Sequence, residues 1–258
     1  MTRARLRWPL FALAAWIVLP PAMLALRALG RAWPFPNLMP SASPGSWTLL
    51  ENDRLIAALG SSVVLAAMTG VASCALGFAL SRAIFAAPGR LRLVATALAL
   101  FAVVVPPVAL SVGLQVALIG LQLNGTLAGV WLAHLIPATG YLTLFGLGVF
   151  SAFDFSVLDA ARTLGASHRQ VWLRIALPLL RRPLLQGILL GGIISWGQLA
   201  LTSLIGGGLV RTLPVELLAF VRAGDDHLGA VAALVLTLPP LLAAGLLQAG
   251  ARRSRAAL

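Results

Sequence analysis

Of 258 residues, 60% are hydrophobic and only 10% charged, with a mean hydropathy of +0.96, whereas soluble domains charge roughly a quarter of their residues. A water-soluble globular fold is excluded. The net charge of +12 comes from 19 basic residues, every one an arginine, against seven acids, and the lone cysteine, Cys74, excludes an intrachain disulfide and cysteine-based metal or redox chemistry.

A membrane-crossing helix needs about 20 apolar residues. In chain order such stretches lie at 9–26, 55–80, 93–121, 126–150, 184–205 and 228–250. The fold class is therefore an all-α membrane protein with six transmembrane helices. The first stretch, with its basic start, also resembles a secretory signal peptide, but its apolar run is longer than the usual core of one. A retained helix is the preferred reading.

The arginines sort by side. Taking alternate loops together, Arg3, Arg5, Arg7, Arg82, Arg90, Arg92, Arg162, Arg169, Arg174, Arg181, Arg182, Arg252, Arg253 and Arg255 share one face with Asp154 and Asp159, a balance of +12. The other face carries Arg27, Arg31, Arg54, Arg211 and Arg222 against Glu51, Asp53, Glu216, Asp225 and Asp226, a balance of zero. The positive-inside rule then predicts both termini in the cytoplasm, N-in/C-in. The basicity is a topology signal, and nucleic-acid binding is not implied.

On the opposite side, 30–52 is rich in Pro, Ser and Trp, and 206–226 starts with glycines and then reads as a short amphipathic helix. The chain divides into an N-terminal helix and extracytoplasmic loop (1–54), a core of five spans (55–250) and a basic cytoplasmic tail (251–258). In the third span Pro106 and Pro107 must interrupt the helical ladder, which predicts a kink. Pro137, Pro239 and Pro240 predict further irregularities.

Polar groups inside the spans are few and uncharged apart from a histidine: Ser111, Gln115, His134, Thr139, Tyr141, Thr143, Ser195, Gln198, Thr202 and Ser203. Each alone reads as an interhelical hydrogen bond, a contribution of about 1 kcal/mol. Together, Pro106, Pro107, Ser111, Gln115, Ser195, Gln198 and Thr202 are the candidate lining of a translocation path. With all seven acids in loops, ion-coupled transport lacks its usual intramembrane carboxylates. With no lysine there is no ordinary P-loop, so nucleotide energy must enter through another subunit. No nucleophile elbow, zinc motif or intramembrane aspartate pair is present, so no catalytic residue and no metal ligand is assigned.

The most polar segment, "LDAARTLGASHRQVWLRIALP" at 158–178, lies between spans four and five. Ser156 with Asp159 and Ser167 with Gln170 fit capping boxes. Gly165 between them fits a left-handed helix terminator, and Pro178 is expected to end the second helix. Here the chain resembles the permease subunit of type I binding-protein-dependent ABC importers. That family's signature is E-A-A, three residues, Gly, nine residues and I-x-L-P. Asp159, Ala160, Ala161, Gly165, Ile175, Leu177 and Pro178 match at every spacing, with the shorter acid at the first position. Asp159 also has a purely local reading as the acid of its own capping box.

The resemblance implies that 158–178 is a cytoplasmic coupling helix seated in a separate ATPase subunit. It also implies a second permease, identical or paralogous, a soluble extracytoplasmic substrate-binding protein, and a bacterial inner-membrane location. The chain itself would hold no cofactor, ATP and Mg being bound by the partner ATPase. "RTLPVELLAFV" at 211–221 resembles permeases for iron, thiamine, polyamines and small oxyanions, while "RTLGAS" at 162–167 lacks the aspartate frequent in sugar permeases. The alternatives are a secondary transporter or a non-transporting membrane assembly protein.

Overall fold

The computed structural model describes residues 7–30, 33, 37, 39 and 52–255. Every regular element among them is helical. In chain order these are α1 (Arg7–Leu29), α2 (Asp53–Ala86), α3 (Gly89–Val104), α4 (Pro107–Gly120), α5 (Leu127–Ala152), α6 (Ser156–Thr163), α7 (His168–Trp196), α8 (Ala200–Ile205), α9 (Leu213–Arg222) and α10 (Asp226–Arg255). Among the described residues five helices are long and apolar enough to cross a membrane, and the α3–α4 pair makes a sixth span if taken as one. Most of the outer segment 30–52 and the side chains of the basic tail lie outside the described residues.

Three expectations are sharpened or corrected. The third span is interrupted at Pro106–Pro107 as expected, but more sharply than by a kink, since 93–121 is divided between two helices bent by 101°. Pro107 begins α4, where its missing N–H costs nothing. The fifth span is displaced toward the N-terminus, since α7 starts at His168, ends at Trp196 and is followed after a break by α8. Arg174, Arg181 and Arg182 lower the hydropathy of that first half, but they are good helix formers. Pro137, Pro239 and Pro240 are all carried inside continuous helices, as neighbouring helices permit in membrane proteins.

The described residues fall into two compact units. One takes in the described residues up to 61 together with 211–245. Within it Arg27 donates from Nη1 to Gly30 O at 2.9 Å and its Nη2 stands 3.9 Å from Asp226 Oδ2. Glu216 is buried at the start of α9, with Oε1 3.2 Å from Arg211 Nη1.

The other unit comprises 62–210 with 246–255. In membranes helices gain by close van der Waals approach, which small residues permit. A side chain on Gly70 of α2 would run into Ile188 O and the Gly192 backbone of α7. One on Gly191 would strike Ser73 Oγ, and one on Gly77 would overlap Leu142 of α5. Ser81 Oγ bridges α2 and α5 by donating to Gly77 O or Thr143 O, at 2.5 and 2.8 Å. Below this seam Phe78, Phe85, Phe145, Phe150, Phe153 and Phe155 form a chain of edge and stacked contacts. The Arg82 and Arg92 guanidinium groups lie over Phe155 and Phe85 at 5.6 and 5.4 Å.

Candidate functional site

The polar segment forms a knob built on that aromatic base. α6 does not start with the expected Ser156–Asp159 box. Phe155 occupies the cap position, Asp154 Oδ1 accepts from the Ser156 N–H at 2.9 Å, and Asp159 turns to Arg162 at 3.1 Å. The nearer acid wins because an aspartate two residues upstream reaches the N–H in a local turn. The Ser156 hydroxyl and N–H hold the Asp154 carboxyl below its ordinary range.

Gly165 terminates α6 at φ +86°. Its N–H bonds to Arg162 O at 2.9 Å and the Ala166 N–H to Ala161 O at 3.0 Å, the paired closure of a Schellman motif. Ser167 then opens α7 in a complete capping box, with Gln170 N–H to its Oγ at 3.3 Å and its own N–H to Gln170 Oε1 at 2.8 Å.

Pro178 does not end this helix, contrary to the sequence expectation. Residues Val171–Ala176 form a π-helical turn, in which Leu177 N–H reaches back five residues to Trp172 O. The extra residue widens the ladder just where Pro178 lacks a donor, and the helix continues to Trp196. The knob is thus rigidly continuous with the fifth span.

The motif residues divide by environment. Ala161 and Ile175 pack on the buried Leu158, Val171 and Ala176. Asp159, Ala160, Gly165, Leu177 and Pro178 are exposed. At the tip, Leu164 is 88% exposed, a bare leucine that sequence reasoning passed over. Its position directly before the predicted left-handed glycine was the available signal.

Four of the path candidates, Gln115, Ser195, Gln198 and Thr202, meet at α8, while Pro106, Pro107 and Ser111 lie at the bend. Ser111 is buried, and its hydroxyl can donate to Pro107 O or Val108 O at 2.8 Å, next to the bend. Gln115 Nε2 donates to Leu204 O at 3.1 Å, joining α4 to α8. Ser195 and Thr202 are both turned onto His134, at 2.8 and 3.0 Å. Gln198 is half-buried at the α7–α8 break and its carbonyl accepts from the Thr202 hydroxyl at 2.8 Å. Pro106 and Pro107 stand exposed at the bend. No group of residues suited to a metal ion occurs among the described residues.

A broken third span, together with a knob carrying the D-A-A…G…I-x-L-P pattern, defines a class of transport subunit. Residues 73–255 match the family model described as binding-protein-dependent transport system inner membrane component, and the chain belongs to that family. It is a permease subunit of an ABC importer and a multi-pass inner-membrane protein. It is 29% identical over 198 residues to the putrescine transport system permease protein PotI of Escherichia coli K12, covering 73% of this chain and 70% of that one. Against the molybdenum transport system permease protein ModB of Mycobacterium bovis, identity is 32% over 226 residues, or 81% and 84% of the two chains. The fold is similar to a chain of a bacterial alginate ABC transporter solved in complex with an alginate pentasaccharide-bound periplasmic protein, with TM-score 0.62, 14% identity and 93% of each chain covered.

Proposed function

We propose that this chain forms half of a translocation path, N-in/C-in, and that its knob is the coupling element through which a separate cytoplasmic ATPase drives it. ATP and Mg belong to that ATPase. A second permease, identical or paralogous, completes the path, and an extracytoplasmic binding protein delivers the solute. The observation that carries this reading is the knob itself. Ala160, Leu164 and Gly165 present an exposed rim of small or apolar surface with the acidic Asp159 beside it, while Ile175 and Ala161 lock its base to a helix that runs unbroken into the fifth span. A push on the rim is therefore delivered to the membrane interior.

Pro106, Pro107, Ser111, Gln115, Ser195, Gln198 and Thr202 are the proposed border of the path. Their support is convergence, since Gln115 from the broken third span bonds to α8 at Leu204 O while Ser195 and Thr202, on either side of Gln198, meet on one histidine. The solute is a small one such as iron, thiamine, a polyamine or an oxyanion. Two relatives, named as permeases for putrescine and for molybdenum, support that range.

The test is Gly165→Val. A side chain there meets nothing within 4 Å, but φ +86° is a conformation that β-branched residues resist. The local cost is about 1–2 kcal/mol, so the variant should reach the membrane in normal amount while failing to copurify with its ATPase. Normal copurification and normal ATP-dependent uptake would remove the coupling assignment.

A further inference from the structure

The fifth span is interrupted at Gly197–Leu199. Gly197 N–H still bonds to Ile193 O, but Gln198 N–H falls back to Ser195 O, and the next ladder bond runs from Ser203 to Leu199. Across such a gap the backbone alone does not fix the direction of α8. A single side chain from another span does bridge it. His134 of α5 is fully buried, with Nδ1 2.8 Å from Ser195 Oγ in the last turn of α7 and Nε2 3.0 Å from Thr202 Oγ1 in α8.

The hydrogen-bond directions follow from counting protons. Thr202 has one hydroxyl proton, and it goes to Gln198 O at 2.8 Å. Thr202 Oγ1 must therefore accept from Nε2–H, which leaves Nδ1 to accept the Ser195 hydroxyl. All three buried side chains are satisfied by one neutral tautomer, assigned here from the network. Two further ties, Gln115 Nε2 to Leu204 O and Gly125 N–H to Ile205 O at 2.8 Å, reach the same short helix.

We propose that His134 is a positioning residue that sets where α8 sits across the break in the fifth span, and so which face α8 turns toward α4, without touching the solute. α8 is six residues long, too short to hold an orientation by its own ladder. Its seat is the apolar cluster of Leu65, Leu118, Val130, Ala133, Leu201 and Ile205. Nonpolar packing of that kind is not directional. The His134 clasp supplies direction, because it demands two hydroxyls at fixed positions on either side of Gly197. The transport consequence rests on the proposed path along α4 and α8, whereas the clasp itself does not.

The experiment places a single reporter cysteine at Gln198 in a Cys74→Ser background, with the full chain and its copurifying subunits in liposomes. The probe is a methanethiosulfonate reagent, and the readout is its labelling rate. Thr202→Val keeps the side chain's shape and removes only the hydroxyl, and should raise labelling about three- to tenfold, the span expected for one interhelical hydrogen bond. His134→Leu and Ser195→Ala should raise it similarly, while Thr202→Ser, which restores the hydroxyl, should stay at the parent rate. Because the residues share one link, His134→Leu with Thr202→Val should exceed neither single variant. Parent-like labelling in Thr202→Val, or additive effects in the pair, would overturn the proposal. The path reading fails separately, if modifying a cysteine at Gln115 leaves ATP-dependent uptake untouched.

Discussion

Gly165 at the knob tip and Gly70 in the α2–α7 seam lack the same side chain for opposite reasons. Around Gly165 there is open space, and what the position requires is a left-handed backbone at φ +86°. Around Gly70 the backbone is plain helix, and what the position requires is emptiness, because Ile188 O occupies the place of a side chain. One glycine shapes an outward surface and the other lets two spans touch. Damage at the first should spare the fold and damage at the second should not.

The largest effect is expected at the seam. Gly70→Val presses a branched side chain onto a backbone carbonyl that has no rotamer to yield, and overpacking costs about 1–3 kcal/mol or more. Solubilised Gly70→Val should lose its monodisperse peak on size exclusion. A stable, monodisperse variant would mean the two helices do not pack as described. Gly165→Val comes second, with strain of about 1–2 kcal/mol and a thermal midpoint close to the parent. If its midpoint fell as far as that of Gly70→Val, the contrast between the two glycines would disappear.

The knob's glycine was legible because its chemistry is local. A polar segment, a capping serine and a left-handed terminator sit within a dozen residues, and the spacing to Ile175 and Pro178 completes the pattern. The seam was not legible, since Gly70, Ile188 and Gly192 meet only once α2 and α7 are folded together, and a glycine in an apolar span carries no mark of its partner. The same division holds elsewhere. The Pro106–Pro107 interruption could be read from two adjacent residues, although its angle could not. The Gly197 break was hidden inside an apolar run, and His134 read as a solitary polar group because Ser195 and Thr202 are more than sixty positions away. Pro178 misled in the other direction, since nothing in the sequence announces the π turn that absorbs it.

Smaller effects refine the picture of the knob. Asp159 and Arg162 are largely exposed, and exposed pairs contribute about 0–1 kcal/mol. Asp159→Asn should leave the thermal midpoint unchanged while weakening ATPase copurification. A drop in stability with full association would return Asp159 to a purely local role.

The smallest effect belongs to Asp154. Its carboxyl is held below the ordinary range by Ser156, so the ionised form stabilises the first turn of α6. That stabilisation is complete above the ordinary carboxylate range and is lost as pH falls through the depressed value. Amide exchange in α6, corrected for intrinsic rates, should accelerate on acidification, and Asp154→Asn should flatten that dependence. An identical pH slope in the variant would show that the cap is not electrostatic.

The 101° bend between α3 and α4 also has an arithmetic consequence. At about 1.5 Å per residue, the 16 and 14 residues of its arms extend about 24 and 21 Å, and neither alone covers a hydrocarbon core of about 30 Å. Counted as one traverse, the two arms would bring the total to six, the even number that the proposed N-in/C-in topology requires. An excursion that returned to its own side would leave five and part the two termini. Two prolines in the third span thus decide whether the first residue and the last share a compartment, and impermeant labels on both ends read the geometry of that one corner.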